Sequence, residues 1–243
     1  MSMTEGSELP GVPACMRELY PFLYAQETAP DAVLAEVARS TAEKADEIVR
    51  LRREVAALYA NDLSACAYAM AGRFAGGGRL FTFGNGGSST DAQDVATTFL
   101  HPPTGRPLPA LCLTCDVAVV TALSNDVGFE VVFARQIAAF GRRCDIALGL
   151  STSGGSANVV QAFEEAAGRG LLTIGMAGYH GGRLAELDSI DHLFVIPSSS
   201  VHRIQEAQTT VYHVLWELTS RAMAELEVTA AGCPAWELEG DMS

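Results

Sequence analysis

Apolar residues recur along the first third of the chain at three- and four-residue steps. Ile48, Leu51, Val55 and Leu58, then Leu63, Cys66, Met70 and Phe74, share one face of an α-helix, so 31–74 is predicted helical with a break near Asn61-Asp62. So apolar a face must be covered, and these N-terminal helices are read as packing elements that include a subunit interface. Beyond Gly76-Gly77-Gly78 the pattern changes. Short, wholly apolar runs at 80–83, 110–113, 146–150, 172–176 and 193–196 alternate with amphipathic stretches at 91–100, 129–140 and 157–167, and a last helix is predicted from about 201 to 223. A strand that is apolar along its whole length is covered on both faces, as in a parallel sheet with crossover helices. The expected fold is therefore α/β, a parallel five-stranded sheet flanked by helices, with the N-terminal helices used for oligomer packing. Residues 1–30, punctuated by Pro and Gly, read as an extension, 31–226 as one domain, and 227–243 as a disordered acidic tail.

Composition narrows the partners. At 243 residues and 49% hydrophobic the chain can bury a substantial core. A formal charge of −13 leaves no clustered Lys and Arg for nucleic acid or an anionic membrane, so neither is expected as a partner, whereas one small phosphate is unaffected. No apolar run approaches the roughly 20 residues that span a bilayer, and the N-terminus lacks a signal-peptide core, so a cytoplasmic location is expected. Cys15, Cys66, Cys112, Cys115, Cys144 and Cys233 are too sparse for a disulfide framework and read as reduced thiols. Cys112-Leu113-Thr114-Cys115 has redox or zinc-ligand spacing, but it has no second pair and is read as structural.

The chemistry lies in two loops. Gly84-Asn85-Gly86-Gly87-Ser88-Ser89 and Ser151-Thr152-Ser153-Gly154-Gly155-Ser156 each follow a predicted strand and open a predicted helix. A helix N-terminus offers unpaired N–H groups and partial positive charge, glycines let the backbone approach a ligand, and serines add hydroxyls. One such loop alone is most simply a strand-to-helix turn; two on successive α/β units point to a phosphorylated polyol. A nucleotide cofactor is not expected. Ser89 stands where the dinucleotide fingerprint wants a small Gly or Ala, and no Gly-Lys-Ser/Thr follows either loop.

Together with Ser124-Asn125-Asp126, Ala157-Asn158-Val159 and Arg203-Ile204-Gln205-Glu206, these loops resemble the sugar isomerase (SIS) domain family, over about 35–225, and within it the phosphoheptose isomerase branch. The resemblance implies a flavodoxin-like sheet and a homotetramer with sites at subunit contacts. It implies that Ser151, Thr152, Ser153 and Ser156 hold the phosphate of a sugar phosphate such as sedoheptulose 7-phosphate, while Gly86, Gly87, Ser88, Asn125 and Asp126 line the sugar chain. The implied reaction is aldose–ketose isomerisation through an enediol, with one group removing a proton and another delivering one.

In that branch the helix after the first loop carries a His and, four residues on, a catalytic Glu, and the last helix carries a Gln and a His eight apart; together they can hold zinc. Gln205 and His213 keep the second pair, two i,i+4 steps apart on one helix face. The first pair is replaced by Asp94 and Thr98. A threonine hydroxyl is too weak a base at neutral pH, and three accounts stay open. Asp94 serves as base, or as zinc ligand with Gln205 and His213, with His101 completing the set. Alternatively another carboxylate, Asp126 or Glu206, is the base. Otherwise the chain binds phosphosugars without converting them, as a sensor or assembly protein. His180, His192 and His202 read as capping or surface groups, and Arg203 as either charge near the site or a solvated residue.

Overall fold

The computed structural model describes residues 30–232. Cys15, Cys233 and all of the 1–30 extension except Pro30 lie outside the described residues. The chain divides between Glu47 and Ile48 into two compact units. Helix α1 (Pro30–Ala75) is continuous, without the break predicted at Asn61-Asp62. In the first unit it is exposed, with Arg39 bridging Glu36 and Glu43 at 2.6 and 2.5 Å, one turn away on either side.

The second unit follows the predicted alternation. Its elements are β1 (Leu80–Gly84), α2 (Gly87–Leu100), β2 (Ala110–Cys112), α3 (Val117–Asp126), α4 (Val132–Phe140), β3 (Ile146–Ser151), α5 (Ala157–Gly168), β4 (Leu172–Gly178), β5 (His192–Ile196) and α6 (Val201–Gly232). The five strands form one parallel sheet in the order β2-β1-β3-β4-β5.

The alternation of side chains along each strand divides the core in two. Leu80, Ile146, Leu148, Ile174 and Met176 pack with α1, α2 and α6 on one face. Phe81, Phe83, Ala147 and Ala177 pack with α4 and α5 on the other, where Phe83 meets Phe133 and Phe163 at ring centroid distances of 5.5 and 5.3 Å. Of the predicted α1 face, Leu51, Val55, Leu63, Cys66, Met70 and Phe74 are buried, but Leu58 is 57% exposed.

Three expectations are corrected. The helix passes through Asn61-Asp62 because its neighbours are anchored. The Tyr59 hydroxyl accepts from the Val195 N–H at 3.0 Å and donates to the Val195 carbonyl at 3.2 Å, and Leu63 is buried. That tertiary hold outweighs a propensity cost of about 0.7 kcal/mol per residue. Helix α3 occupies a stretch to which the apolar pattern assigns no element. Asp116 caps it, its side chain accepting from the Val119 N–H at 3.0 Å. Helix α6 continues past 226 to Gly232, carried by Ala, Glu and Leu and followed in sequence by Cys233-Pro234. No helix among the described residues is long and apolar enough to cross a membrane.

At the amino ends of the strands, opposite the loops, the buried Asp145 carboxylate accepts from the Arg79 N–H at 2.8 Å, the Arg142 N–H at 2.9 Å and the Arg79 guanidinium at 3.1 Å. Burial alone would raise its pKa, but these hydrogen bonds outweigh it and hold the carboxyl below its usual range. Asp145→Ala is expected to lower the unfolding free energy by about 3 kcal/mol at neutral pH in urea titrations. The wild-type advantage should persist above about pH 4, the ordinary carboxylate pKa, and shrink as the pH falls through the lower folded value.

Candidate functional site

The strand order reverses between β1 and β3, so their crossover connections leave the sheet on opposite sides and open a crevice at the carboxyl ends. Gly84 pairs with Leu150 across these two strands, which places both glycine–serine loops at the mouth of that crevice. The loops are tied directly. Asn85 Nδ2 donates to Asn158 Oδ1 at 2.8 Å and Asn158 Nδ2 donates to Asn85 Oδ1 at 2.9 Å, a reciprocal amide pair in which Asn158 is buried.

Each loop leaves a helix N-terminus without a side-chain cap. Gly86 precedes α2 and Ser156 precedes α5, and neither makes a side-chain capping bond. The Ser156 hydroxyl instead lies 3.1 Å from that of Ser151, and Ser153 Oγ accepts from the Gly155 N–H at 3.2 Å. Gly154 has φ +64, and a Cβ there would lie 1.9 Å from the Gly181 carbonyl, so only glycine fits this bend. The hydroxyls of Ser151, Ser153 and Ser156 thus gather in the second loop, which also carries Thr152, beside the first loop, where Ser88 is buried in the opening turn of α2. Uncapped helix N-termini with hydroxyls beside them suit an oxyanion.

Below the loops, α2 and α6 meet along a polar seam. Gln205 Nε2 donates to Asp91 Oδ2 at 3.1 Å. The approach needs Gly87, where a Cβ would come within 2.3 Å of that nitrogen. Burial raises the Asp91 pKa; the Gln205 bond opposes this and the nearby Asp94 charge adds to it, leaving the carboxyl above its usual range. One turn along, the Tyr212 hydroxyl donates to Asp94 Oδ2 at 2.7 Å. His213 Nδ1 lies 2.8 Å from the Thr209 carbonyl. A carbonyl can only accept, so Nδ1 donates here, and in the neutral imidazole Nε2 presents its lone pair.

The predicted residues therefore divide. Gly86, Gly87, Ser88, Ser151, Thr152, Ser153 and Ser156 gather around the crevice, and Asp94, Gln205 and His213 lie on the seam between α2 and α6. Asn125 and Asp126 sit on the last turn of α3, exposed and bonded to each other at 2.8 Å, and neither has a side-chain bond to the loops. Glu206 is paired with Arg203 one turn away on α6. His101 is exposed and ends α2, its backbone N–H bonding the Thr97 carbonyl at 2.8 Å. Thr98 is half-buried one turn beyond Asp94. Asp91, Tyr212 and the pairing role of Asn158 escape a reading by motif. Asp91 could have been found from its three-residue spacing to Asp94, which puts both carboxylates on one face of α2.

The set that the resemblance offers to zinc, Asp94, Gln205 and His213, is engaged in these hydrogen bonds. Asp94 is engaged by Tyr212, the Gln205 amide nitrogen faces Asp91, and His213 is the one imidazole on the seam. Among the described residues no three His, Cys, Asp or Glu side chains cluster as a ligand set.

Comparison with known proteins agrees with this fold. The SIS domain family matches residues 45–178, more than half of the chain. The phosphoheptose isomerase of Aquifex aeolicus is 39% identical over 189 residues, covering 75% of this chain and 98% of that protein. The phosphoheptose isomerase of a Roseiflexus species is 44% identical over 154 residues, covering 63% of this chain and 77% of that protein. Among solved structures, phosphoheptose isomerase GmhA from Neisseria gonorrhoeae superposes with a TM-score of 0.70 at 31% identity, covering 76% of this chain and 99% of its own. One from Francisella tularensis gives 0.66 at 32% identity, covering 74% and 98%.

Cutting the amide pair tests whether the two loops are one unit. Asn158→Ala leaves Asn85 without its partner and is expected to cost about 1–2 kcal/mol of stability. Backbone hydrogen exchange should accelerate in both loops; acceleration confined to the second would show that they are independent.

Proposed function

We propose that this chain, which belongs to the SIS domain family, is a phosphosugar isomerase that interconverts sedoheptulose 7-phosphate and its aldose isomer. The observation that carries the reading is the pair of uncapped glycine–serine loops locked together by Asn85 and Asn158 beside a seam of proton-transfer groups. The phosphate sits in the cradle of Ser151, Thr152, Ser153 and Ser156, bound by amides and hydroxyls, and Gly86, Gly87 and Ser88 line the sugar chain. Asn125 and Asp126, exposed on α3, reach sugar across a subunit contact in a homotetramer.

The groove between α1 and α6 supports self-association. It encloses about 270 Å³ and is lined by Val55, Ala56, Leu63, Val211, Val214 and Leu218. The setting is cytoplasmic, where phosphorylated sugars are retained by their charge.

The chemistry runs on two groups of different kinds. The Asp94 carboxylate takes the proton from C1 of the ketose, and the electron pair of that C–H bond forms the C1–C2 double bond of the enediol, first as an enediolate with its charge on O2; the proton that O2 gains comes from O1. His213, with Nδ1 fixed to the Thr209 carbonyl, uses Nε2 to carry the proton from O1 to O2. Asp94 then returns its proton to C2, and the C1–O1 carbonyl completes the aldose. Asp91, held by Gln205, flanks the seam and keeps it polar.

In deuterated water with sedoheptulose 7-phosphate, NMR should show aldose accumulating with deuterium at C2, and deuterium entering C1 of the ketose by the reverse step. His213→Ala and Asp94→Asn should each slow turnover by about 100-fold or more. Binding of the sugar phosphate without exchange would assign the protein to a sensor or assembly role instead.

A further inference from the structure

Tyr212 is the residue on α6 that touches both groups of the proposed chemistry. Its side chain is 2% exposed, yet its hydroxyl ends 2.7 Å from Asp94 Oδ2, on the exposed side chain of another helix. Its ring lies against His213 with centroids 4.9 Å apart and planes 29° from parallel. Its hydroxyl also comes within 3.4 Å of Thr209 Oγ1, and the Thr209 carbonyl holds His213 Nδ1 at 2.8 Å. Thus a single turn of α6 fixes one oxygen of the carboxylate and the plane and tautomer of the imidazole.

An exposed carboxylate needs no partner for solvation, because water serves it as well. A contact from a buried phenol instead restricts its rotamers. Burial raises the Tyr212 pKa; Thr209 opposes the rise and the Asp94 hydrogen bond adds to it, so the hydroxyl keeps its proton and is a constant donor. With one carboxylate oxygen occupied, the other is the free acceptor. The same substitution that puts Thr at 98 removes the carboxylate from the next turn of α2, leaving Asp94 as the one whose direction matters.

We propose that Tyr212 is a positioning residue that holds Asp94 and His213 in register as one proton-transfer unit. This rests on the isomerase reading above, and it adds a group that neither touches the sugar nor exchanges a proton with it. Productive proton transfer requires both groups within hydrogen-bond reach of adjacent atoms, and a displacement of about 1 Å costs on the order of 100-fold in rate.

Tyr212→Phe keeps the ring, its packing and the stack on His213, and removes only the hydroxyl. With sedoheptulose 7-phosphate the variant should lose about 10- to 100-fold in kcat, while KM stays within about twofold, since the phosphate cradle is untouched. The melting temperature should be unchanged. In the Asp94→Asn background, adding Tyr212→Phe should cause no further loss of kcat, because the bond it serves is already altered. A wild-type enzyme that turns over together with a Tyr212→Phe variant of equal kcat would overturn the positioning role and leave the isomerase reading intact. Equal fractional losses in both backgrounds would also overturn it, by showing that Tyr212 acts independently of Asp94. A wild-type protein that exchanges no deuterium into bound sugar would overturn the isomerase reading, and the proposal with it.

Discussion

The site depends on the reversal of strand order between β1 and β3. In a parallel sheet every strand delivers its following loop to the same edge, but only at a reversal do neighbouring crossovers depart to opposite sides and leave a crevice. Placing glycine–serine sequence after both of those strands puts two helix N-termini at one place, and the Asn85 and Asn158 amides close the gap between them. The second loop could not bend as it does with a side chain at Gly154, nor could Gln205 approach the first with one at Gly87. Backbone shape here decides which groups can meet.

This construction explains how a chain with a formal charge of −13 can accommodate an anion. The cradle uses amides, hydroxyls and helix dipoles, whose influence is local, and so needs no basic surface. It also separates binding from chemistry. The cradle belongs to β3 and α5, while the groups suited to move protons lie on α2 and α6. Within the seam, hydrogen bonds run from α6 to α2, from Gln205 to Asp91 and from Tyr212 to Asp94. Two carboxylates on one helix face repel each other, and these two donors offset the repulsion.

Much of this was legible in the chain. The apolar strands and the two loops declare a parallel α/β sheet with glycine–serine turns opening its helices, because periodicity and glycine placement are local properties. What was not legible arises from contacts distant in sequence. Asn61-Asp62 reads as a helix break until Tyr59 is seen bonded to Val195, 136 residues away. Val117 begins a helix that its β-branched neighbours argue against. The Glu206 pairing with Arg203 is settled only by the fold, and Asn125-Asp126 carries the family pattern but meets neither loop within this chain. Asp94 could be counted off from Gly84, but nothing local to Tyr212 announces that it reaches across to that carboxylate.

The most direct test is a crystal structure of the slow Asp94→Asn variant soaked with sedoheptulose 7-phosphate. The phosphate should lie among Ser151, Thr152, Ser153 and Ser156, with C1 facing position 94 and the O1 and O2 atoms facing His213 Nε2. A phosphate bound outside that loop, or a sugar chain running away from the seam between α2 and α6, would contradict the account.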